Sequence, residues 1–314
     1  MAHTHSHSEE HNHSHHHHHH HGPVELTNVN RAFIIGISLN FLFVLIEVFA
    51  GLKIHSLSLL SDAGHNLADV GALALSLLAY RLLKVKPNEK YTYGYRKTSI
   101  LTALFNAVVL LVSIGAIVYE AIHRLLNPEP LPGYTIAIIA GIGILINAFT
   151  AILFLKDKEK DLNVKSAYLH LMSDALVSAG LVIGGIIIHY TNWYWLDPAF
   201  SIVIAVIIVS GTWSLLKDSL RLSLDGVPPD IDVQKVKETA LKVKGVLDIH
   251  HLHIWAISTT QNALTAHLVV DETSTMAQIE EIKKILKHEF EHQKISHVTL
   301  ETETKANDCG EPDC

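Results

Sequence analysis

The chain has 314 residues, 49% of them hydrophobic and only 18% charged, with a formal net charge of −7. Its apolar residues come in long blocks, which excludes a single small soluble domain and points to a lipid bilayer as the surrounding medium. The acidic balance argues against nucleic acid, which cationic surfaces hold, and two cysteines are too few for a disulfide scaffold.

Residues 1–28 open the chain as a cytosolic polar tail, and half of the 24 histidines fall within residues 1 to 21. Such a stretch cannot bury a core, so disorder is expected. The unbroken run His15 to His21 reads as an expression tag. The spaced His3, His5, His7, His11 and His13 ahead of it read as a native metal-gathering tail, and either form binds divalent transition metals.

Residues 29–222 hold six apolar blocks, roughly Arg31 to Leu52, Leu57 to Leu83, Thr98 to Leu126, Tyr134 to Leu155, Ala167 to Tyr190 and Trp195 to Leu216. Each nears or exceeds the roughly 20 residues a spanning helix needs. The first lies too late and runs too long for a cleavable signal peptide, so it is expected to stay as a span. Basic residues gather after the second block (Arg81, Lys84, Lys86, Lys90, Arg96, Lys97) and after the fourth (Lys156, Lys158, Lys160, Lys165). Positive charge is held on the cytoplasmic side, so both termini are expected in the cytosol. No targeting motif is evident, which favours a bacterial inner membrane.

The second and fifth blocks each carry a His-x-x-x-Asp pair, His65 with Asp69 and His170 with Asp174. Residues four apart share a helix face, and ionisable groups in hydrocarbon are costly enough to be kept for function. One histidine in an apolar helix is more often a packing residue. Two such pairs would need partners for four titratable groups, whereas one dication neutralises both carboxylates and engages both imidazoles. The N2O2 set suits tetrahedral zinc, and tolerates cadmium, cobalt or iron(II). Four protein ligands leave no open position for an activated water, so transport is expected and hydrolysis is not. Metal and protons compete for the same atoms, which predicts efflux of the metal coupled to protons. A membrane metal sensor or scaffold is the rival reading, and an intramembrane metallohydrolase is disfavoured. Asn40, Asn106 and Asn147 read as interhelical hydrogen-bond formers. Glu47 and Asp62 stay open between packing, a water-lined path and the interface.

Residues 223–304 are expected to form an acidic cytosolic α+β domain. From Asp225 onward 16 acidic residues face nine basic ones, which accounts for the whole net charge. Pro228 and Pro229 end the last membrane helix, Asp232 caps a helix to Lys244, and Gly245 stops it. Val246 to Ser258 and Ala263 to Asp271 read as strands, Thr275 to Phe290 as a helix and Ile295 to Glu303 as a third strand, giving αββαβ with helices on one face. His250 and His267 on adjacent strands and Glu303 on a third can converge on one face if the period-two alternation places them so, the plain alternative being surface histidines on a solvated sheet. Strand alternation sends His251 and His253 away from His250. Residues 305–314 form a tail with Cys309 and Cys314, a free thiol pair or metal clip in a reducing compartment.

Several stretches resemble the cation diffusion facilitator family, in its zinc-exporting subgroup: Leu59 to Asp69, Tyr93-Gly94-Tyr95-Arg96, His170 to Ala175, Asp197-Pro198 and His250 to Trp255. The likeness runs from about Arg31 to Glu303. It implies a homodimeric zinc/proton antiporter, not an enzyme, with six transmembrane helices and a ferredoxin-like cytosolic domain that pairs with its copy. It implies His65, Asp69, His170 and Asp174 as the transport site, zinc as both cargo and regulatory ligand, and a cytosolic site at His250, His267 and Glu303. Cys309 and Cys314 resemble the terminal pair some zinc transporters add to that site.

Overall fold

The computed structural model describes residues 29–53, 57–126, 133–191, 193 and 195–305. The histidine-rich tail, Cys309 and Cys314 lie outside them. The six apolar blocks are the helices α1 (Val29–Lys53), α2 (Leu57–Leu82), α3 (Thr98–Leu126), α4 (Gly133–Phe154), α5 (Leu162–Thr191) and α6 (Leu196–Ser223). Two exceed the sequence expectation: α5 begins five residues earlier than Ala167 and α6 runs seven past Leu216. The added residues of α6 are mostly polar, Lys217, Asp218, Ser219, Arg221 and Ser223 among them, so apolar run length stops short of them while the backbone ladder continues.

By length and composition, three described stretches are apolar enough to cross a membrane: Asn30–Ala50, Thr98–Leu126 and Ser201–Ser223. His65, Asn66 and Asp69 dilute α2, and the apolar described stretch of α4, Ala140–Phe154, is shorter. The bundle pairs α1 with α2, α4 with α5 and α3 with α6, while α5 also packs on α6. Gly36 allows α1 to approach α4 closely: a Cβ there would stand 2.7 Å from Cγ2 of Thr150. Beside it Phe33 and Phe154 meet edge to face at 4.8 Å. Small residues at such crossings let backbones close where lipid supplies no hydrophobic drive. Asn106 bonds between helices as expected, donating to Oγ of Ser76 at 2.7 Å. Asn40 instead donates within α1, to the Gly36 carbonyl at 3.0 Å.

After α6 come α7 (Val233–Leu241), β1 (Val246–Ser258), β2 (Gln261–Val270), α8 (Met276–His292) and β3 (Ile295–Glu303). Asp232 caps α7 by accepting from the backbone N–H groups of Gln234 and Lys235. The helix ends at Leu241, before the expected Lys244, and Gly245 takes φ +99° in the turn that follows. Thr275 and Gln278 form a reciprocal capping box at the start of α8. The sheet runs β1-β2-β3, with β1 antiparallel and β3 parallel to β2. Ile249, Leu264, Leu268, Leu286, Phe290 and Ile295 form the centre of its core with both helices.

The β1–β2 hairpin tip joins this unit to the bundle. The Thr259 N–H donates to Oγ of Ser99 at 3.1 Å, and the Thr259 hydroxyl donates to the carboxyl of Asp161. Asp161 also caps α5 by accepting from the N–H groups of Asn163 at 2.8 Å and Val164 at 3.1 Å. Burial holds the Asp161 carboxyl above the ordinary carboxylate range, against the hydrogen bonds that favour its charge. Lys97 pairs with Asp225, and Ile100, Leu222 and Ala256 make a small apolar seam with Leu162.

Candidate metal sites

Asp69 comes from α2, and His170 and Asp174 come from one face of α5, a turn apart. Nε2 of His170 lies 2.6 Å from Oδ1 of Asp69 and 4.0 Å from Oδ2 of Asp174. One donor atom from each of the three lies within 4.8 Å of the others. Asp69 and His170 are buried and Asp174 is half-buried. These separations are short enough for one ion to take all three groups as ligands. The fourth expected ligand, His65, is on α2 one turn before Asp69, and its side chain lies outside the described residues.

Beside this trio the structure places two further polar residues, Glu47, whose role the sequence left open, and Asn66. Glu47 of α1 is fully buried, and its Oε2 accepts from the Asn66 side-chain amide at 2.8 Å. Asn66 lies between the two expected ligands of α2, so Glu47 is inside the bundle beside the site. Asp62 has its side chain outside the described residues. On the other side of His170, a cavity of about 10 Å³, room for one water, is lined by Ser76, Asn106 and Ser166.

The second cluster is on the sheet. The register pairs His250 with His267 across β1 and β2, and β3 brings Glu303 beside them. Nδ1 of His267 is 2.5 Å from Oε1 of Glu303, and Nε2 of His250 is 3.3 Å from its Oε2. Their donor atoms also fall within 4.8 Å of one another. Further carboxylates stand at the remaining ring nitrogens, Asp248 at 3.9 Å from Nδ1 of His250 and Glu301 at 3.6 Å from Nε2 of His267. Outer carboxylates of this kind orient metal-binding imidazoles. The expectation for His251 is corrected: a bulge between His250 and His253 breaks the alternation and turns the His251 ring toward the cluster. His253 is exposed.

Residues 33–222 match the family model for the cation efflux transmembrane domain, and residues 228–304 match that for the cation efflux protein cytoplasmic domain. The chain belongs to the cation efflux family. It is 38% identical over 267 residues to a cadmium, cobalt and zinc/H(+)-K(+) antiporter of Bacillus subtilis, covering 84% of this chain and 86% of that protein. It is 38% identical over 276 residues to the metal cation efflux system protein CzcD of Cupriavidus metallidurans, covering 87% and 86%. It is 37% identical over 288 residues to the zinc transporter ZitB of Yersinia pestis, covering 91% and 90%. Among solved structures it is similar to the metal-bound C-terminal domain of CzcD from Cupriavidus metallidurans, at 35% identity and TM-score 0.20, over 23% of this chain and 99% of that one. This member of the cation efflux family is therefore an integral membrane transporter rather than an enzyme.

Proposed function

We propose that this protein exports zinc from the cytosol in exchange for protons, through a tetrahedral site made by His65, Asp69, His170 and Asp174 midway across a six-span bundle. The observation that carries the reading is the convergence of Asp69, His170 and Asp174 within 4.8 Å at the contact of two long apolar helices. Carboxylates there must be neutralised whether or not metal is bound, and only protons or a dication can do it. Each zinc released outward is thus replaced by protons that travel inward. The imidazole and carboxylate set accommodates cadmium and cobalt as well, metals that the relatives' names include.

Both termini and the αββαβ domain face the cytosol, and the protein works as a homodimer in a bacterial inner membrane. Zinc held by His250, His267 and Glu303 neutralises charge in an acidic domain and favours the paired, transporting state. Purified protein in liposomes tests the central reading. Zinc movement should collapse an imposed pH gradient, and Asp174→Ala should abolish both fluxes. Zinc flux indifferent to the gradient would remove the exchange, and full flux through Asp174→Ala would remove the site.

A further inference from the structure

His251 adopts φ +48° in the middle of β1. Among the described residues two other non-glycine residues take positive φ, Asp225 and Lys294, and both sit just past helices, where a left-handed residue closes the last turn. His251 ends nothing. A left-handed conformation is strained for a residue that carries a Cβ, and strain of that kind persists where the surrounding structure holds it. Its effect here is directional. Regular pleating would aim the ring at the opposite face, but the bulge lays it against His267, with ring centroids 4.9 Å apart and planes at 25°. The same ring stands edge-on to His250 at 5.2 Å and 81°.

Three imidazoles and the Glu303 carboxylate thus share one face of the sheet. Resting on the proposed cytosolic site, we infer that His251 is its fourth protein ligand, so that His250, His251, His267 and Glu303 enclose a zinc ion as a closed N3O set. Structural zinc sites take four protein ligands, with imidazole and carboxylate both common. A set of three would leave a position for water or for a distant residue. The donor atoms of His250, His267 and Glu303 already lie within 4.8 Å of one another, and rotation of the adjoining His251 ring about its Cβ–Cγ bond, a torsion with a broad profile, would bring one of its nitrogens in beside them. On this assignment the tail cysteines are not needed to complete the shell.

The test uses the full-length protein in detergent with the transport site disabled by Asp69→Ala and Asp174→Ala and every histidine of residues 1–21 changed to Ser, so that zinc titrated against a competing chelator reads the cytosolic site. His251→Asn keeps a residue that tolerates left-handed φ but removes the ligand, whereas His251→Asp is nearly isosteric and restores an anionic oxygen donor. Zinc affinity should fall by about tenfold or more in His251→Asn, as losing a group that shapes a site does, and should recover in His251→Asp. Cobalt should lose its intense tetrahedral absorption in the first variant and regain it in the second. Affinity in His251→Asn within about twofold of the parent would overturn the assignment. A loss that His251→Asp fails to restore would also overturn it, since the defect would then be one of folding. The parent reading fails separately if His250→Ala and His267→Ala both bind zinc unchanged.

Discussion

Asp69 is buried between apolar helices, where a carboxylate without an answering charge costs several kcal/mol. Its answer is His170 on the neighbouring helix, at 2.6 Å, and the chemistry of the pair explains why neither residue can be replaced by its shape alone. Asp69→Asn preserves volume but removes the charge that holds a dication, so zinc flux in liposomes should drop by roughly 100-fold or more, near 3 kcal/mol at about 1.4 per decade, while the protein stays folded. Glu47 makes the complementary case. Its carboxyl is fully buried against the Asn66 amide, and Asn66→Leu would strip that donor away. Losing a hydrogen bond to a buried carboxyl costs about 1.5–3 kcal/mol, so the thermal unfolding midpoint in detergent should fall even with no metal present. The His-x-x-x-Asp spacing made Asp69, His170 and Asp174 legible in the sequence. Glu47 was not assignable, because hydropathy says that a carboxyl is in a helix but not which neighbour it faces.

Helices α1 and α4 touch through Gly36, and α5 starts at a cap that another domain helps to hold. Gly36→Leu would drive a side chain into Thr150, where overpacking costs typically about 1–3 kcal/mol. Lower stability with the metal sites chemically intact should follow, read as a lower unfolding midpoint with unchanged zinc stoichiometry. At the α5 cap, burial keeps Asp161 protonated to higher pH than an exposed carboxyl. The folded protein therefore binds this proton more tightly than the unfolded chain does. Stability from this group is greatest below the unfolded value and is lost as pH rises through the raised folded value. Asp161→Asn should flatten that part of the stability profile, measured by unfolding midpoints across pH. A profile as steep as the parent's would place the proton elsewhere.

At the scale of the whole molecule, one hairpin links the two candidate ligand clusters. β1 and β2 carry His250 and His267, their tip carries Thr259, and Thr259 bonds to the cap of the helix that bears His170 and Asp174. Zinc on the sheet should stabilise the fold by mass action, by about 2.7 kcal/mol at one hundred times its dissociation constant, so a chelator should lower the unfolding midpoint in a concentration-dependent way. Thr259→Val should leave zinc affinity on the sheet unchanged yet weaken the dependence of flux on cytosolic zinc, because it cuts the bond and leaves both clusters in place. What the sequence determined by itself was periodic and local: the six long helices from apolar run length, the αββαβ order from alternation and capping residues, and the two His-x-x-x-Asp pairs as candidate ligands from residue type and spacing. Those quantities depend on neighbours along the chain. Tertiary structure alone decided the rest: that α2 and α5 bring Asp69 to His170, that Glu47 faces Asn66, that Asp161 is shared between helix cap and hairpin, and that a bulge turns His251 toward His267. Each of these is a contact between segments distant in sequence, or a backbone departure from regular period, and is set by which packing buries the most surface while still satisfying the polar groups inside it.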